Sequence, residues 1–207
     1  MASWHERFQT KEYIYGTEPN EFIKTMHPKL AITGDALAIA EGEGRNAVFL
    51  AEQGMQVTAW DFARSGLEKT QYLAKSRNVE VAVSQVDLAE ADWAESQWDE
   101  IICVFGHFPK HVQQKTFEGM RQALKPGGYF LMEVYSSDQL AYGTGGPKTA
   151  EMLYRPEEIL EAFKEYKLIH FFTGEVVRKE GALHNGLSHV IQVAVQKPQE
   201  YKNIHRH

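Results

Sequence analysis

The stretch Ala36-Leu37-Ala38-Ile39-Ala40-Glu41-Gly42-Glu43-Gly44-Arg45-Asn46-Ala47 decides how this chain is read. Its first five residues are an unbroken apolar run, which reads as a short strand covered on both faces. Its end opens a helix predicted over 46–53, with Gly54 placed as a left-handed stop. Between them lies G-x-G-x-x-A. Glycines at a strand-to-helix turn permit a tight bend and let a ligand approach the backbone closely. The pattern is weak alone, but here its context is right. The next strand, Val57–Trp60, runs into Asp61, 61 − 44 = 17 residues past Gly44. An acid at that place accepts hydrogen bonds from ribose hydroxyls.

Moving outward, a helix is predicted over 63–76. Val79, Val81 and Val83 alternate as a third strand, followed by Asp87 in Val86-Asp87-Leu88. Ile101–Phe105 is a fourth strand. Pro109 suits the first turn of a helix in which Phe117, Met120 and Leu124 share one face. Pro126-Gly127-Gly128 is expected to end it, before a fifth strand over Tyr129–Tyr135. Strands and helices alternating at this spacing predict an α/β domain with a mostly parallel sheet and helices on both faces. After a helix over 156–165, strands near 168–178 and 188–197 are joined too tightly for a parallel crossover, so they form an antiparallel closing hairpin. The organisation expected is an aromatic, charged lead-in over 1–34, one domain over 35–197, and a disordered tail over 198–207. Helical turns are expected in the lead-in near 4–11 and 20–27.

A chain of 207 residues with 43% hydrophobic content makes one domain with a real core. Its net charge of −6 disfavours bulk nucleic-acid binding. The single cysteine, Cys103, leaves no intramolecular disulfide or multi-thiolate metal site, and reads as a buried small hydrophobe. No apolar run approaches the ~18 residues of a membrane helix, and the start lacks an apolar signal core. The expectation is therefore a cytoplasmic protein with no membrane or nucleic-acid partner. Gly143–Thr149 imitates a phosphate loop but has the wrong spacing, and Pro147 removes an N–H; it reads as a loop over the substrate mouth. His107 and His111 are interrupted by Pro109 and lack the zincin glutamate, so no metal is expected.

Charge selects among nucleoside ligands. A pyrophosphate would sit at the helix N-terminus, beside Glu41 and Glu43. Two unit charges 4 Å apart interact by roughly 4 kcal/mol at an effective dielectric of 20, so the carboxylates penalise a diphosphate and attract a sulfonium or ammonium. S-adenosylmethionine fits. Asp87, at a strand's carboxyl end, is placed to accept from the adenine amino group, with the Leu88 amide donating back.

These motifs, with Trp4-x-x-Arg7-Phe8, Tyr13-Ile14-Tyr15-Gly16-Thr17-Glu18-Pro19-Asn20, Leu124-Lys125-Pro126-Gly127-Gly128, Thr144-Gly145-Gly146-Pro147-Lys148 and Glu180-Gly181-Ala182-Leu183-His184-x-Gly186, make the chain resemble class I S-adenosylmethionine-dependent methyltransferases. Within that superfamily it is similar to the small bacterial tellurite-resistance-type enzymes. The resemblance implies a Rossmann-like, doubly wound sheet of seven strands whose last is antiparallel. It implies that Glu41, Gly42 and Gly44 meet the methionine half of the cofactor, Asp61 the ribose, and Asp87 with Leu88 the adenine. Arg45, Asn46, Phe62 and Phe105 complete the expected cofactor set. Phe105-Gly106-His107-Phe108-Pro109 stands where enzymes methylating nucleic-acid amines carry Asn-Pro-Pro-Tyr-like residues, so a small-molecule acceptor is expected instead.

In-line transfer from a sulfonium needs no acid to expel the leaving group, and a base only if the nucleophile arrives protonated. Positioning supplies much of the acceleration. His107 is the candidate base or substrate contact, with Tyr15 and His184 as further substrate contacts. Trp4, Tyr13 and Tyr15 are candidate lid residues, and Arg7 and Lys148 candidate anchors for an anionic acceptor. Two other readings stay open: a non-catalytic cofactor-binding or regulatory module on the same fold, and an NAD-dependent dehydrogenase, against which Glu41 and the lack of a second domain argue.

Overall fold

In β1 (Asp35–Ile39) the apolar run alternates between two cores. Leu37 and Ile39 face one and Ala36 and Ala38 the other, and all four are completely buried. A computed structural model describes residues 4–181 and 184–199. Around β1 it arranges β2 (Gln56–Asp61), β3 (Val81–Gln85), β4 (Trp98–Val104), β5 (Leu124–Tyr135), β6 (Lys167–Glu180) and β7 (His184–Gln196) in the order β3-β2-β1-β4-β5-β7-β6. Pairing is parallel from β3 to β5 and antiparallel at β5–β7 and β7–β6. The expected doubly wound, seven-stranded sheet with its closing hairpin is therefore present.

Helices α2 (Glu21–Leu30), α3 (Arg45–Glu52) and α4 (Arg64–Ser76) cover one face, through Phe22, Ile23, Leu50 and Leu73. Helices α5 (Lys110–Ala123) and α6 (Pro156–Ala162) cover the other, through Val112, Phe117, Met120, Ile159 and Phe163. A short α1 (Trp4–Arg7) and the segment after it lie against α4: Ser65 Oγ donates to the His5 carbonyl at 2.7 Å, and Tyr13 Oη to the Lys69 carbonyl at 3.0 Å. Among the described residues no helix is long and apolar enough to cross a membrane.

The termini of the elements follow local chemistry. Asn20 caps α2 by accepting from Phe22 N and Ile23 N. Gly54, at φ 91°, follows the last turn of α3 as predicted. Two boundaries differ from the sequence reading. The third strand starts at Val81, because Asn78 at φ 57° turns the chain and Val79 N still closes onto the Ala74 carbonyl. Helix α5 stops at Ala123, not at Pro126, and Leu124 already pairs with Trp98. A proline keeps the residue before it out of the helical region. Lys125 then bridges Asp35 (3.1 Å) and Asp99 (2.7 Å) at the entry to β1 and β4. The tail over 200–207 lies outside the described residues.

Leu37 is wholly enclosed by the α5-side core. Leu37→Ala should lower unfolding stability by about 3 kcal/mol, by lost transfer energy plus an unfilled cavity. A urea titration with unchanged slope and a lower midpoint is the expected result.

Candidate active site

The helices after β1 and β4 pass to opposite faces of the sheet, so a crevice opens between the carboxyl ends of these neighbouring strands. Both lips hold unusual backbone. Ala40 (φ 50°) follows β1 and Phe105 (φ 53°) follows β4, and neither is glycine. Such conformations cost free energy and persist where the surroundings impose them. Past Ala40 the bend uses Gly42 (φ 64°) and Gly44 (φ 92°).

Glu41 folds back under α3. Its Oε1 accepts from Asn46 N and Ala47 N, each at 2.8 Å, and the side chain is buried. The open N–H groups of a helix start are the natural seat of an anion, and here the chain supplies its own. Burial pushes the Glu41 carboxyl up to about 7, against the opposing pull of the two N–H groups and Arg45. Glu43 corrects the sequence reading, which set both carboxylates at the ligand. It turns away to bind Lys69 Nζ (2.6 Å), Ile14 N (2.8 Å) and Tyr15 N (3.4 Å). It anchors the lead-in, and Glu41 alone edges the bend.

Gly44 is demanded by contact as well as by φ. A Cβ there would lie 2.7 Å from the Thr70 Cα and 2.5 Å from its Oγ1. A Cβ on Gly66 would lie 2.5 Å from the Gly42 carbonyl oxygen. The bend thus rests directly on α4. Asp61 braces it from β2: Oδ2 accepts from Gly42 N and Oδ1 from Ala63 N, both at 2.8 Å, and burial raises its carboxyl.

The remaining predicted residues separate into two groups. Phe62, 52% exposed, stands beside Asp61 at the crevice rim. Asp87, exposed after β3, accepts from Ala89 N (2.9 Å), while Leu88 sinks into the core. Phe105 stacks on Tyr135 with centroids 4.7 Å apart. Arg45 and Asn46 are committed elsewhere: Arg45 pairs with Glu180 at 2.7 Å, and Asn46 Oδ1 accepts from Asn20 N at 2.9 Å. Their side chains tie the lead-in and the hairpin together. His107 is also committed. Its Nδ1 lies 3.0 Å from the Met152 carbonyl, so that nitrogen carries the proton, and Nε2 accepts from Tyr135 N at 3.3 Å. Burial lowers it to about 4, so it is neutral near pH 7 with both nitrogens engaged. With both nitrogens engaged, the ring of this candidate base is held in one orientation. Tyr15 is held through its N–H by Glu43, and burial pushes its phenol up to about 12. His184 opens β7 and its side chain lies outside the described residues.

Sequence reasoning missed a buried ionic cluster behind the mouth. Glu133 on β5 pairs with Arg178 on β6 and accepts from Gln192 and, at 2.8 Å, from Asn20 Nδ2. Arg178 also reaches Glu180 at 2.8 Å and lies 4.8 Å over the Phe105 ring. The one signal available was Glu133 itself, a lone charge inside Phe130-Leu131-Met132-Glu133-Val134. Phe8 was missed as well: its ring rests on the bend, 3.2 Å from where a Cβ on Gly42 would stand. Trp4 stacks on Phe8 at 5.5 Å, and Arg7 lies over Trp4 at 4.9 Å. The Thr144–Lys148 loop is tied to the hairpin, with Thr144 Oγ1 donating to the Leu187 carbonyl at 2.6 Å. Cys103 is buried and its thiol pushed up to about 12, consistent with an inert packing role.

Comparison with known proteins bears on this arrangement. The family model described as a methyltransferase domain matches residues 36–128, from β1 to the turn inside β5. Over these residues the chain is similar to methyltransferase domains. The chain is 28% identical over 126 residues (59% of this chain, 51% of the relative) to YqeM of Bacillus subtilis, which is named as a methyltransferase. It is 28% identical over 113 residues (54% and 44%) to the ubiquinone biosynthesis O-methyltransferase of Rickettsia akari. The chain thus spans about half the length of the curated relatives it matches. The same fold occurs in TehB from Haemophilus influenzae, with a TM-score of 0.72, 17% identity, and coverage of 88% of this chain and 63% of that one. It also occurs in a structure from work on the conversion of a disulfide bond into a thioacetal group during echinomycin biosynthesis, with a TM-score of 0.74, 15% identity, and coverage of 99% and 94%.

Gly44→Ala places a side chain at positive φ and against the Thr70 backbone. It should cost about 2 kcal/mol or more and shift the denaturant midpoint down. Gly54→Ala, whose Cβ meets open space, carries the φ strain without a clash and should cost visibly less.

Proposed function

We propose that the chain catalyses methyl transfer from S-adenosylmethionine to a small-molecule acceptor. The observation that carries this reading is the Glu41 carboxylate seated on the first N–H groups of α3, at the crevice between β1 and β4. A diphosphate would compete for those N–H groups with the Glu41 carboxyl already seated on them, whereas a cation gains from its ionised form. The residues fit such a cofactor by their chemistry: a glycine bend for close backbone approach, carboxylates at Glu41 and Asp61, and the exposed ring of Phe62. When bound, the cofactor supplies a methyl on a sulfonium, with a neutral thioether as leaving group.

In this reading Glu41, Gly42 and Gly44 hold the amino-acid half, Asp61 the ribose, and Phe62, Asp87 and the Leu88 amide the adenine. Phe105, Tyr135 and His107 wall the acceptor side, and their stacking fixes the angle of approach. Phe105 and Tyr135 stack at 4.7 Å, and Tyr135 and His107 at 5.5 Å. His107 acts here by orientation, since neither nitrogen is free to take a proton. The lead-in over 1–34 is the cover: Trp4, Phe8, Tyr13 and Tyr15 lie over the bend and α4 and keep water from the transfer. The acceptor is a nucleophile that needs little help in losing a proton, and rate comes mainly from placement.

Calorimetric titration with S-adenosylmethionine and with S-adenosylhomocysteine tests the reading. Both should bind, NADH should not, and the reverse pattern overturns it. Asp61→Ala should weaken both ligands about tenfold or more, since it removes a charged hydrogen-bond acceptor from each alike. Glu41 adds a pH signature. Its carboxyl lies near 7 in the free protein, so it is partly protonated there, and a cation beside it favours the ionised form. Binding near neutral pH should release protons, and affinity should rise with pH across that range. Titrations in two buffers of different ionisation enthalpy measure the release, and Glu41→Gln should remove it.

A further inference from the structure

We propose that the outer edge of β6 is an interface between two copies of this chain, paired antiparallel about a two-fold axis at Val177. The inference is independent of the methyl-transfer reading. Strand β6 is the last in the sheet order, and it is 14 residues long. Among the described residues its backbone makes no hydrogen bond outside its pairing with β7. A row of open N–H and C=O groups of that length is a template for another strand, and monomeric proteins guard such edges with prolines, bulges, short strands or charges left without an opposite partner. Here β6 has no proline, and its one register shift falls between Leu168 and His170, far from Val177.

Side chains point to a second copy as the occupant. Val177 is 73% exposed, and Leu187, its partner on β7, is 40% exposed, so an apolar pair stands at the edge. Glu175 and Lys179 flank Val177 at two residues either side and therefore share its face. Neither forms an ion pair within the chain among the described residues; Glu175 only accepts from Tyr142 Oη at 2.7 Å. In an antiparallel pair centred on Val177, Glu175 of each copy faces Lys179 of the other, twice, around a Val177–Val177 contact. A register centred on Thr173 would instead oppose Lys167 and Lys179, like charge against like. The strand is also held firm at this point, because Arg178 and Glu180 are pinned from the inner face by Glu133 and Arg45. Its outer edge is therefore presented in one conformation, and association has little ordering to do.

Analytical ultracentrifugation of the full chain tests this. The wild type should be a dimer. Glu175→Lys and Lys179→Glu should each weaken the dimer about tenfold or more, since each turns two attractive cross-strand pairs repulsive. The double exchange Glu175→Lys with Lys179→Glu should restore the wild-type dissociation constant. Both substituted positions are exposed, and the far-UV circular dichroism of all three variants should be unchanged. A monomeric wild type, which would leave the edge to a foreign strand, overturns the proposal. So does a dimer indifferent to both single exchanges, or a double variant as weak as either single one.

Discussion

One carboxylate under one helix holds the carboxyl edge of this sheet in shape. Helix α3 begins at Gly44, which has no side chain to cap it and whose φ of 92° suits no other residue well. The N–H groups of its first turn still need acceptors. Glu41 reaches back from the end of β1 and provides one oxygen to two of them. Strand, bend and helix become a single unit. The exchange is costly in charge burial, and its measure is the rise of the Glu41 carboxyl from 4.5 to about 7. Its sign follows from linkage: the folded state holds this proton more tightly than the unfolded chain, so the group's contribution to stability falls as pH rises between those two values. In return the fold fixes the position of this carboxyl at the end of β1.

A second charged assembly shapes the opposite wall. Glu133, Arg178, Glu180 and Arg45 come from β5, β6 and α3, and Asn20 joins them from the cap of α2. Burying such a group adds little stability over well-packed apolar residues, because desolvation offsets much of the attraction. It does fix geometry, since removing any one member strands a buried charge. Burial raises the Glu133 carboxyl, and the arginine beside it opposes that rise. The cluster therefore sets how the lead-in, the sheet and the hairpin stand around Phe105. His107 belongs to the same logic: a ring with both nitrogens engaged is a stiff wall.

Much of this was legible in the residues. The apolar run of β1, the G-x-G-x-x-A bend, the acid closing β2 and the two final strands each obey a local rule of period, turn or spacing, so the sheet and its crevice could be foretold. Local rules also placed Gly54 past α3 and Cys103 in the core. They failed where a side chain's partner lies far along the chain. Glu41 and Glu43 look alike two residues apart, yet one caps α3 and the other holds Ile14, Tyr15 and Lys69. Arg45 and Asn46 look available beside the bend, yet Glu180 and Asn20 take them. His107 looks like a base until Met152 and Tyr135 occupy its nitrogens. The amino-acid order alone determined the sheet, the bend and the charge at the bend, because those depend on neighbours within a few residues. Only the tertiary structure decided which polar groups remain open to a ligand, because a hydrogen-bond donor or acceptor is consumed by whatever the fold brings within about 3 Å of it.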